Sequence, residues 1–334
     1  MGETMEERGG TILVTGGCGF IGTHLCHALV GAGQKVRILD DLSTGKAAGI
    51  PEEAELILGD VADAGAVADA MAGVDGVVHL AAIASVERCN QEWVRSHRTN
   101  LTGTLTVMEA AREAGKEDGS APVPVVWASS AAIYGAARTL PISERTAPEP
   151  LSPYGADKLG GELHGRAAAE IFGVANMALR FFNVYGPGQD PNSPYSGVIS
   201  IFAERMARGE DIVINGDGGQ TRDFIHVSDV VRALIASLDR LLRRQRLEQP
   251  AGFNAVNVCT GRAVTVRMLA ETLRALTGSA GTLSHGPARD GDIRDSVGDP
   301  ARMHRLLGIR AETRLEDGLR SLTDTRIDRI ADAM

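Results

Sequence analysis

Tyr154 and Lys158 stand four residues apart in Ser152-Pro153-Tyr154-Gly155-Ala156-Asp157-Lys158. The stretch reads as a helix start, with Ser152 as N-cap and Pro153 at the first helical position. Four residues make about one helical turn, so the ammonium reaches the neighbourhood of the phenol. A phenol titrates near ~10 and is a poor base at neutral pH unless a nearby cation stabilises its anion. Such a pair also occurs on ordinary amphipathic helices, and the spacing alone leaves that reading open. Ser129 and Ser130 follow the apolar run Val123-Pro124-Val125-Val126-Trp127-Ala128 and add hydroxyls at the end of an expected strand.

The element that must position these groups lies near the N-terminus. The apolar run Thr11-Ile12-Leu13-Val14 leads into Thr15-Gly16-Gly17-Cys18-Gly19-Phe20-Ile21-Gly22 and then a helical pattern from Ile21 to Gly31. Glycines at this spacing after a strand make a diphosphate cradle. Gly16 permits the tight turn, Gly19 lets backbone approach the phosphates, and Gly22 lets helix pack on strand. The helix N-terminus adds unpaired N–H groups and a partial positive charge. The second strand, Lys35 to Leu39, ends in Asp40, eighteen residues past Gly22. That acid is placed to bond both adenosine ribose hydroxyls and to repel a 2′-phosphate, so the cofactor expected is NAD rather than NADP. Ligands of an open α/β sheet sit beyond the strands' carboxyl ends, which brings the cradle, Ser129-Ser130 and the Tyr154 helix into one crevice. There the charge of an oxidised nicotinamide joins that of Lys158 in favouring the Tyr154 phenolate.

Strands and helices alternate through the first half of the 334 residues, the pattern of a doubly wound parallel sheet of Rossmann type. After Asp40 come Leu56-Ile57-Leu58-Gly59-Asp60, a helix near Asp63 to Met71, the strand Gly76 to Ala82, and one long helix from Glu92 to Ala114 that carries Asn100. Asp60 ends a strand where the adenine would lie, and the small Ala81 and Ala82 let backbone run close to the cofactor. Pro, Gly and Asn crowd the stretch from Gly186 to Gly197, where the sheet is expected to give way to a smaller C-terminal α/β lobe. The organisation expected is an NAD-binding domain over 10–182, with parts of 223–260 returning to its sheet, and a substrate-binding lobe mainly over 183–330.

A formal net charge of −9 disfavours a nucleic-acid or anionic-membrane partner, because a polyanion site needs a broad basic face. An anionic ligand must then be small and held by a few placed cations. Cys18, Cys26, Cys89 and Cys259 are widely spaced without a Cys-x-x-Cys pair, which points to reduced, buried thiols rather than zinc or disulfides. The first nine residues are polar and acidic, and no apolar run approaches ~18 residues. The expectation is a cytoplasmic protein with no metal.

Taken together, these motifs resemble the extended short-chain dehydrogenase/reductase family and, within it, the nucleotide-sugar 4-epimerases. The resemblance rests on the cradle, Asp40, Asp60-Val61, His79-Leu80-Ala81-Ala82, Asn100, Ser129 to Gly135, Ser152 to Lys158, Arg180-Phe181-Phe182-Asn183-Val184-Tyr185-Gly186-Pro187, Arg222 to Val227 and Gly291-Asp292-Ile293-Arg294. It implies that Ser130 and Tyr154 act at the sugar O4, and that Lys158 binds the nicotinamide ribose and lowers the Tyr154 pKa. It implies NAD contacts at Gly16, Gly19, Phe20, Ile21, Gly22, Asp40, Asp41, Ser43, Thr44, Gly45, Asp60, Val61, Leu80, Ala81, Ala82, Asn100, Ser129 and Phe181. For the substrate it implies Asn183 and Val198, with Arg222 and Arg289 as cations on the diphosphate, Asp292 near the nucleotide ribose and Ser296 beside the sugar. Two arginines beside turns suit bidentate phosphate binding, although solvated surface arginines read the same way.

Family members that dehydrate or decarboxylate the sugar carry acids after the Ser130 position, where this chain has Ala131 and Ala132. Proton abstraction at C5 then has no obvious base, and the expected reaction is C4 epimerisation of a UDP-sugar by NAD through a transient ketone. Net reduction of a 4-keto nucleotide sugar by NAD(P)H uses the same residues, and epimerisation of UDP-glucuronate remains a further alternative. A small side chain at Ser296 leaves room for an N-acetyl group, while Asp190, where glucuronate epimerases carry Arg, would repel a sugar carboxylate. Ala84 stands where glucose-type epimerases often place a Lys near the pyrophosphate, which predicts a looser hold on NAD. Helices around Glu92–Ala114 and Pro153–Phe172 match those that pair in relatives, and a homodimer is expected.

Overall fold

The computed structural model describes residues 10–117, 119–189, 197–288 and 293–322. Short apolar runs form parallel strands covered on both faces, as central strands of an α/β sheet require. The first half comprises β1 (Thr11–Thr15), α1 (Phe20–Gly31), β2 (Lys35–Asp40), β3 (Glu55–Leu58), α2 (Ala64–Met71), β4 (Gly76–His79), α3 (Val86–Gln91), α4 (Trp93–His97), α5 (Gly103–Glu117), β5 (Val125–Ser130), α6 (Pro153–Phe172) and β6 (Asn176–Phe181). There follow β7 (Asn183–Tyr185), α7 (Val198–Ala207), β8 (Ile212–Asn215), β9 (Thr221–Arg222), β10 (Phe224–His226), α8 (Val227–Arg246), β11 (Phe253–Val258), β12 (Val264–Thr265), α9 (Val266–Thr277), β13 (Leu283–Gly286), β14 (Asp295–Ser296) and α10 (Ala301–Leu307).

The seven-stranded sheet runs in the order β11-β6-β5-β4-β1-β2-β3, and every pairing in it is parallel. The fold is a Rossmann-type α/β sandwich, as the alternation of elements predicts. The strand order reverses between β1 and β4, so the crevice forms beyond their carboxyl ends. One core packs α1 and α8 against the sheet through Leu25, Leu29, Val230, Leu234 and Leu238, and another packs α2 and α5 on the opposite face through Val67, Val107 and Trp127. A third core, of Phe202, Ile214, Leu269 and Leu273 among others, fills the smaller lobe. No described helix is long and apolar enough to cross a membrane.

The helix expected as one piece from Glu92 to Ala114 is broken. Glu92 ends α3 with φ −115° and ψ 48°, and a π-helical turn spans Arg98–Thr102 before α5 begins. A π turn inserts an extra residue into the hydrogen-bond ladder and re-aims the side chains within it. Here it sends Asn100 inward. Its Oδ1 accepts the Ile83 N–H at 2.8 Å, and its Nδ2 donates to Ile83 O at 3.1 Å. Periodicity could not reveal the break, because the polar run from Arg95 to Asn100 carries no apolar phase to follow.

Asp223 joins the smaller lobe to the sheet. It is completely buried between β9 and β10, and its carboxylate accepts four donors: Thr260 N (2.8 Å), Thr260 Oγ1 (2.7 Å), Gly261 N (2.8 Å) and Gly298 N (3.3 Å). Asp223→Ala leaves these donors without an acceptor and is expected to cost about 3 kcal/mol of stability. Asp223→Asn is expected to be destabilising too, since its NH2 would face N–H groups. Urea denaturation measures both, and an Asn variant as stable as the wild type would refute this account.

Candidate active site

The turn after β1 is shaped by contacts that exclude any side chain. Gly16 has φ +70°, and a Cβ there would lie 2.6 Å from Ala81 N; at Gly22 it would lie 2.2 Å from Gly16 O. The turn, the loop after β4 and the start of α1 are therefore packed backbone against backbone. At Gly19 a Cβ would approach only Gly16 O, at 3.2 Å, so the cradle is open on its other side. Gly19 is the N-cap of α1, and no side chain caps that helix or places an acid in its first turn. Uncapped N–H groups facing open space suit a diphosphate, and Phe20 and Ile21 open the helix that presents them.

Asp40 ends β2 beside this turn, with Oδ2 accepting Cys18 N and Oδ1 accepting Leu42 N, both at 2.9 Å. Burial raises its pKa and the two N–H bonds pull it back. Each oxygen keeps a lone pair for a ribose hydroxyl. The loop carrying Asp41, Ser43, Thr44 and Gly45 folds back over the cradle. Asp41 Oδ1 accepts Ser43 N at 2.9 Å, Lys46 N donates to Cys18 O at 3.0 Å, and a Cβ on Gly45 would meet Cys18 at 2.7 Å. Asp60 turns its chain through Ala62 N (2.9 Å) and pairs with Arg98 at 3.4 Å. These groups fit NAD: an acid for the ribose, a cradle for the phosphates, and an Ala81–Ala82 backbone laid against Gly16.

Four expected cofactor residues have side chains engaged elsewhere. The Asn100 amide is committed to both backbone groups of Ile83, so it fixes the loop after Ala82 rather than facing the crevice. The buried Ser129 hydroxyl donates to Glu162 at 2.6 Å on the α6 side. Val61 and Phe181 are core side chains. The resemblance implied these contacts; at Val61, Ser129 and Phe181, at or just beyond strand ends, backbone and side chain face different ways. Leu80 is half-buried against the core of α1 and α8.

Ser152 caps α6 as its sequence predicts, with Oγ accepting Gly155 N at 3.1 Å. One turn on, Lys158 is 3% exposed, its Nζ donating to Ala128 O of β5 at 2.8 Å and lying 5.8 Å from the Tyr154 ring centroid. Ser130 lies close enough to Tyr154 to act on its titration and caps the 3-10 turn Ala131–Tyr134, its Oγ accepting Ala132 N at 3.1 Å. The three expected catalytic groups thus meet in one place. Burial shifts the two groups in opposite directions. It pushes the Tyr154 phenol up to about 12 against the opposing effect of Ser130, and pulls the Lys158 ammonium down to about 8. The physical reason is that both ionised forms lose water, and this outweighs Lys158 at its distance from the ring.

In the smaller lobe, Arg222 lies opposite Ser296 in the parallel β9–β14 pairing, and its Nη1 donates to Thr221 O at 2.8 Å. Asn183 is exposed on β7, where its N–H donates to Asp223 O at 3.0 Å, one residue from Arg222. Val198 opens α7 and is half-buried. Arg289, Asp292 and Asp190 lie outside the described residues. All four cysteines are free and buried, and among the described residues no cluster of acids, histidines and cysteines could hold a metal. Sequence reasoning gave no role to Glu162, Arg180 and Tyr134 behind the crevice. One signal existed: Glu162 lies four residues after Lys158, an acid on the face that α6 buries.

Residues 12–251 match the NAD dependent epimerase/dehydratase family. Three solved structures superpose on most of the chain. The UDP-glucose 4-epimerase of Thermotoga maritima, solved with UDP-glucose, is 34% identical with a TM-score of 0.86 over 96% of this chain and 99% of that one. The UDP-N-acetylglucosamine 4-epimerase of Methanobrevibacter ruminantium, solved with UDP-N-acetylmuramic acid, is 33% identical with a TM-score of 0.86 over 96% and 99%. MoeE5, solved with UDP-glucuronic acid and NAD, is 36% identical with a TM-score of 0.81 over 96% and 100%.

The buried ammonium has a measurable consequence. Between about pH 8 and the usual 10.5, folded Lys158 holds fewer protons than unfolded Lys158. Wild-type stability therefore rises with pH through that window. Lys158→Met is expected to be more stable than wild type at pH 7 and to lose this advantage by pH 10. Equilibrium denaturation at the two pH values measures the difference, and a variant less stable at both overturns the prediction.

Proposed function

The chain belongs to the NAD dependent epimerase/dehydratase family and takes NAD as its cofactor, and from that premise we propose that it inverts C4 of a UDP-hexose or UDP-N-acetylhexosamine through a transient 4-keto sugar. The observation that carries this reading is the meeting of Ser130, Tyr154 and Lys158 at one crevice, with Ala131 and Ala132 next to Ser130. A proton can be taken from a hydroxyl there, but those positions supply no carboxylate to take one from C5.

NAD held in the cradle supplies a reversible hydride acceptor for C4. Tyr154 takes the O4 proton, directly or through Ser130, and later returns it. Lys158 holds the nicotinamide ribose and sets the charge beside the phenol. Because both groups are buried, a positive charge close to them acts through little water and is felt strongly. Arg222 grips the diphosphate, with Arg289 as the second expected cation, and the sugar turns about that fixed point to present its other face. The short Ser296 side chain, opposite Arg222 in the β9–β14 register, suits a substrate with either a hydroxyl or an acetamide at C2. Asp190 argues against glucuronate.

A homodimer accompanies this reading. Trp93 (65% exposed) and Val94 (84%) on α4 and Leu163 (62%) on α6 leave apolar surface on two neighbouring helices, as a helix-pairing interface requires. Light scattering at micromolar concentration is expected to give twice the chain mass, and a monomer would remove the dimer.

Purified protein given UDP-glucose or UDP-N-acetylglucosamine is expected to form the C4 epimer with no net change in absorbance at 340 nm. A stoichiometric absorbance change would instead identify a net oxidoreductase. Tyr154→Phe is expected to lower kcat by about 10³-fold while NAD still binds. Full activity in that variant would end the proposed role of Tyr154.

A further inference from the structure

Behind the crevice a run of buried polar groups crosses four elements. Glu162, 4% exposed, lies on α6 four residues beyond Lys158 and eight beyond Tyr154. Its Oε1 accepts Ser129 Oγ at 2.6 Å and Arg180 Nε at 2.9 Å, and its Oε2 pairs with the Arg180 terminal nitrogen. Arg180, 6% exposed on β6, also donates to the Tyr134 hydroxyl at 2.7 Å. That hydroxyl in turn donates to Asn257 Oδ1 of β11 at 2.7 Å, and Asn257 Nδ2 donates to Ile142 O at 2.9 Å.

A buried ion pair is a weak source of stability, because an apolar pair of the same volume often serves as well. What this pair does geometrically is specific. Ser129 precedes Ser130, and Tyr134 ends the 3-10 turn that Ser130 caps. The pair therefore fastens the backbone on both sides of Ser130, one side through Glu162 and the other through Arg180. Glu162 also shares its helix with Tyr154 and Lys158.

We propose that the Glu162–Arg180 pair is a positioning device that registers the Ser130 turn of β5 against the Tyr154 helix, with Ser129 as its contact to the strand. This rests on the reading above, in which Ser130 and Tyr154 handle the O4 proton. Proton transfer between two hydroxyls needs them within hydrogen-bond reach, so a small slip of the turn lowers turnover without weakening binding.

Ser129→Ala removes the hydroxyl and spares the ion pair; Ser129→Thr restores a hydroxyl. Expected for Ser129→Ala is a fall in kcat of about ten-fold or more, with the sugar KM and the NAD affinity within about two-fold of wild type, and recovery in Ser129→Thr. Hydrogen exchange, which needs no substrate, is expected to show lost protection at the amides of 131–135 in Ser129→Ala, with β1 and β4 unchanged. A kcat that stays near wild type, or falls only with the folded fraction, overturns the proposal where the wild type turns over a UDP-sugar. A wild type inert on every nucleotide sugar refutes the reaction assigned above, and the exchange data then decide the positioning role: unchanged protection over 131–135 overturns it.

Discussion

The site depends on holding a protonated lysine out of water. Lys158 is buried at the seam between α6 and β5, where its one hydrogen bond is to the Ala128 carbonyl. A lone ammonium in such a place drifts toward neutrality, and burial does pull this one down to about 8. At neutral pH it nonetheless remains charged. The fold must keep α6 pressed to the sheet against that cost, and the apolar contacts of the helix are aided by the Ser129–Glu162 bond one turn on. The same desolvation raises the Tyr154 phenol, so the two groups are set several units apart and are ready to respond to any new positive charge placed between them.

The cradle imposes a second constraint of a different kind. Nothing in it is charged except Asp40 at its edge, and the attraction for an anion comes from backbone N–H groups at the start of α1. Such groups are useful only if the ligand can reach them, and the glycines secure that reach. Gly16 and Gly22 allow the strand turn and helix to touch, while Gly19 leaves the outward side open. Asn100 extends the arrangement from a distance. By bonding Ile83 on both backbone groups it fixes the loop after β4 that the cradle packs against. The π turn is what aims it there, which gives that local departure from regular helix a structural purpose.

Much of this was legible in the residue order because the relevant signals are local. Strand, glycine turn, helix and acid lie within thirty or so residues, and Ser152, Pro153, Tyr154 and Lys158 lie within one helical turn or two. The parallel, doubly wound sheet follows from the alternation of elements. What the order of residues could not reveal depends on pairings distant along the chain. The pairing of Arg180 with Glu162 appears only when β6 is placed beside α6, and Ser129 reads as a crevice hydroxyl until its side chain is seen to turn away from it. The broken helix before Asn100 was hidden because the polar run from Arg95 to Asn100 carries no apolar phase that an extra residue could shift. The burial that raises Tyr154 also escaped, since proximity of Lys158 is visible in sequence whereas loss of water is not.

The proposed function asks an acidic chain to take an anionic ligand in its smaller lobe. With a net charge of −9, long-range attraction does not favour a doubly charged diphosphate, so recognition has to come from placement. Arg222 is placed by β9, whose neighbours β12 and β14 fix it from either side. Asp223, one residue on, fastens that strand to Thr260, Gly261 and Gly298. The Asp223 carbonyl accepts the Asn183 N–H, so the arginine and the asparagine are held relative to each other by one residue. A buried carboxylate with four donors is stiff, and that stiffness passes to both neighbours. The sheet's crevice fixes where chemistry can occur, and Asp223 fixes how far from it a cation stands. In the proposed reaction, that spacing would set the distance between the sugar and its diphosphate, with side-chain charge needed only at the end of the reach.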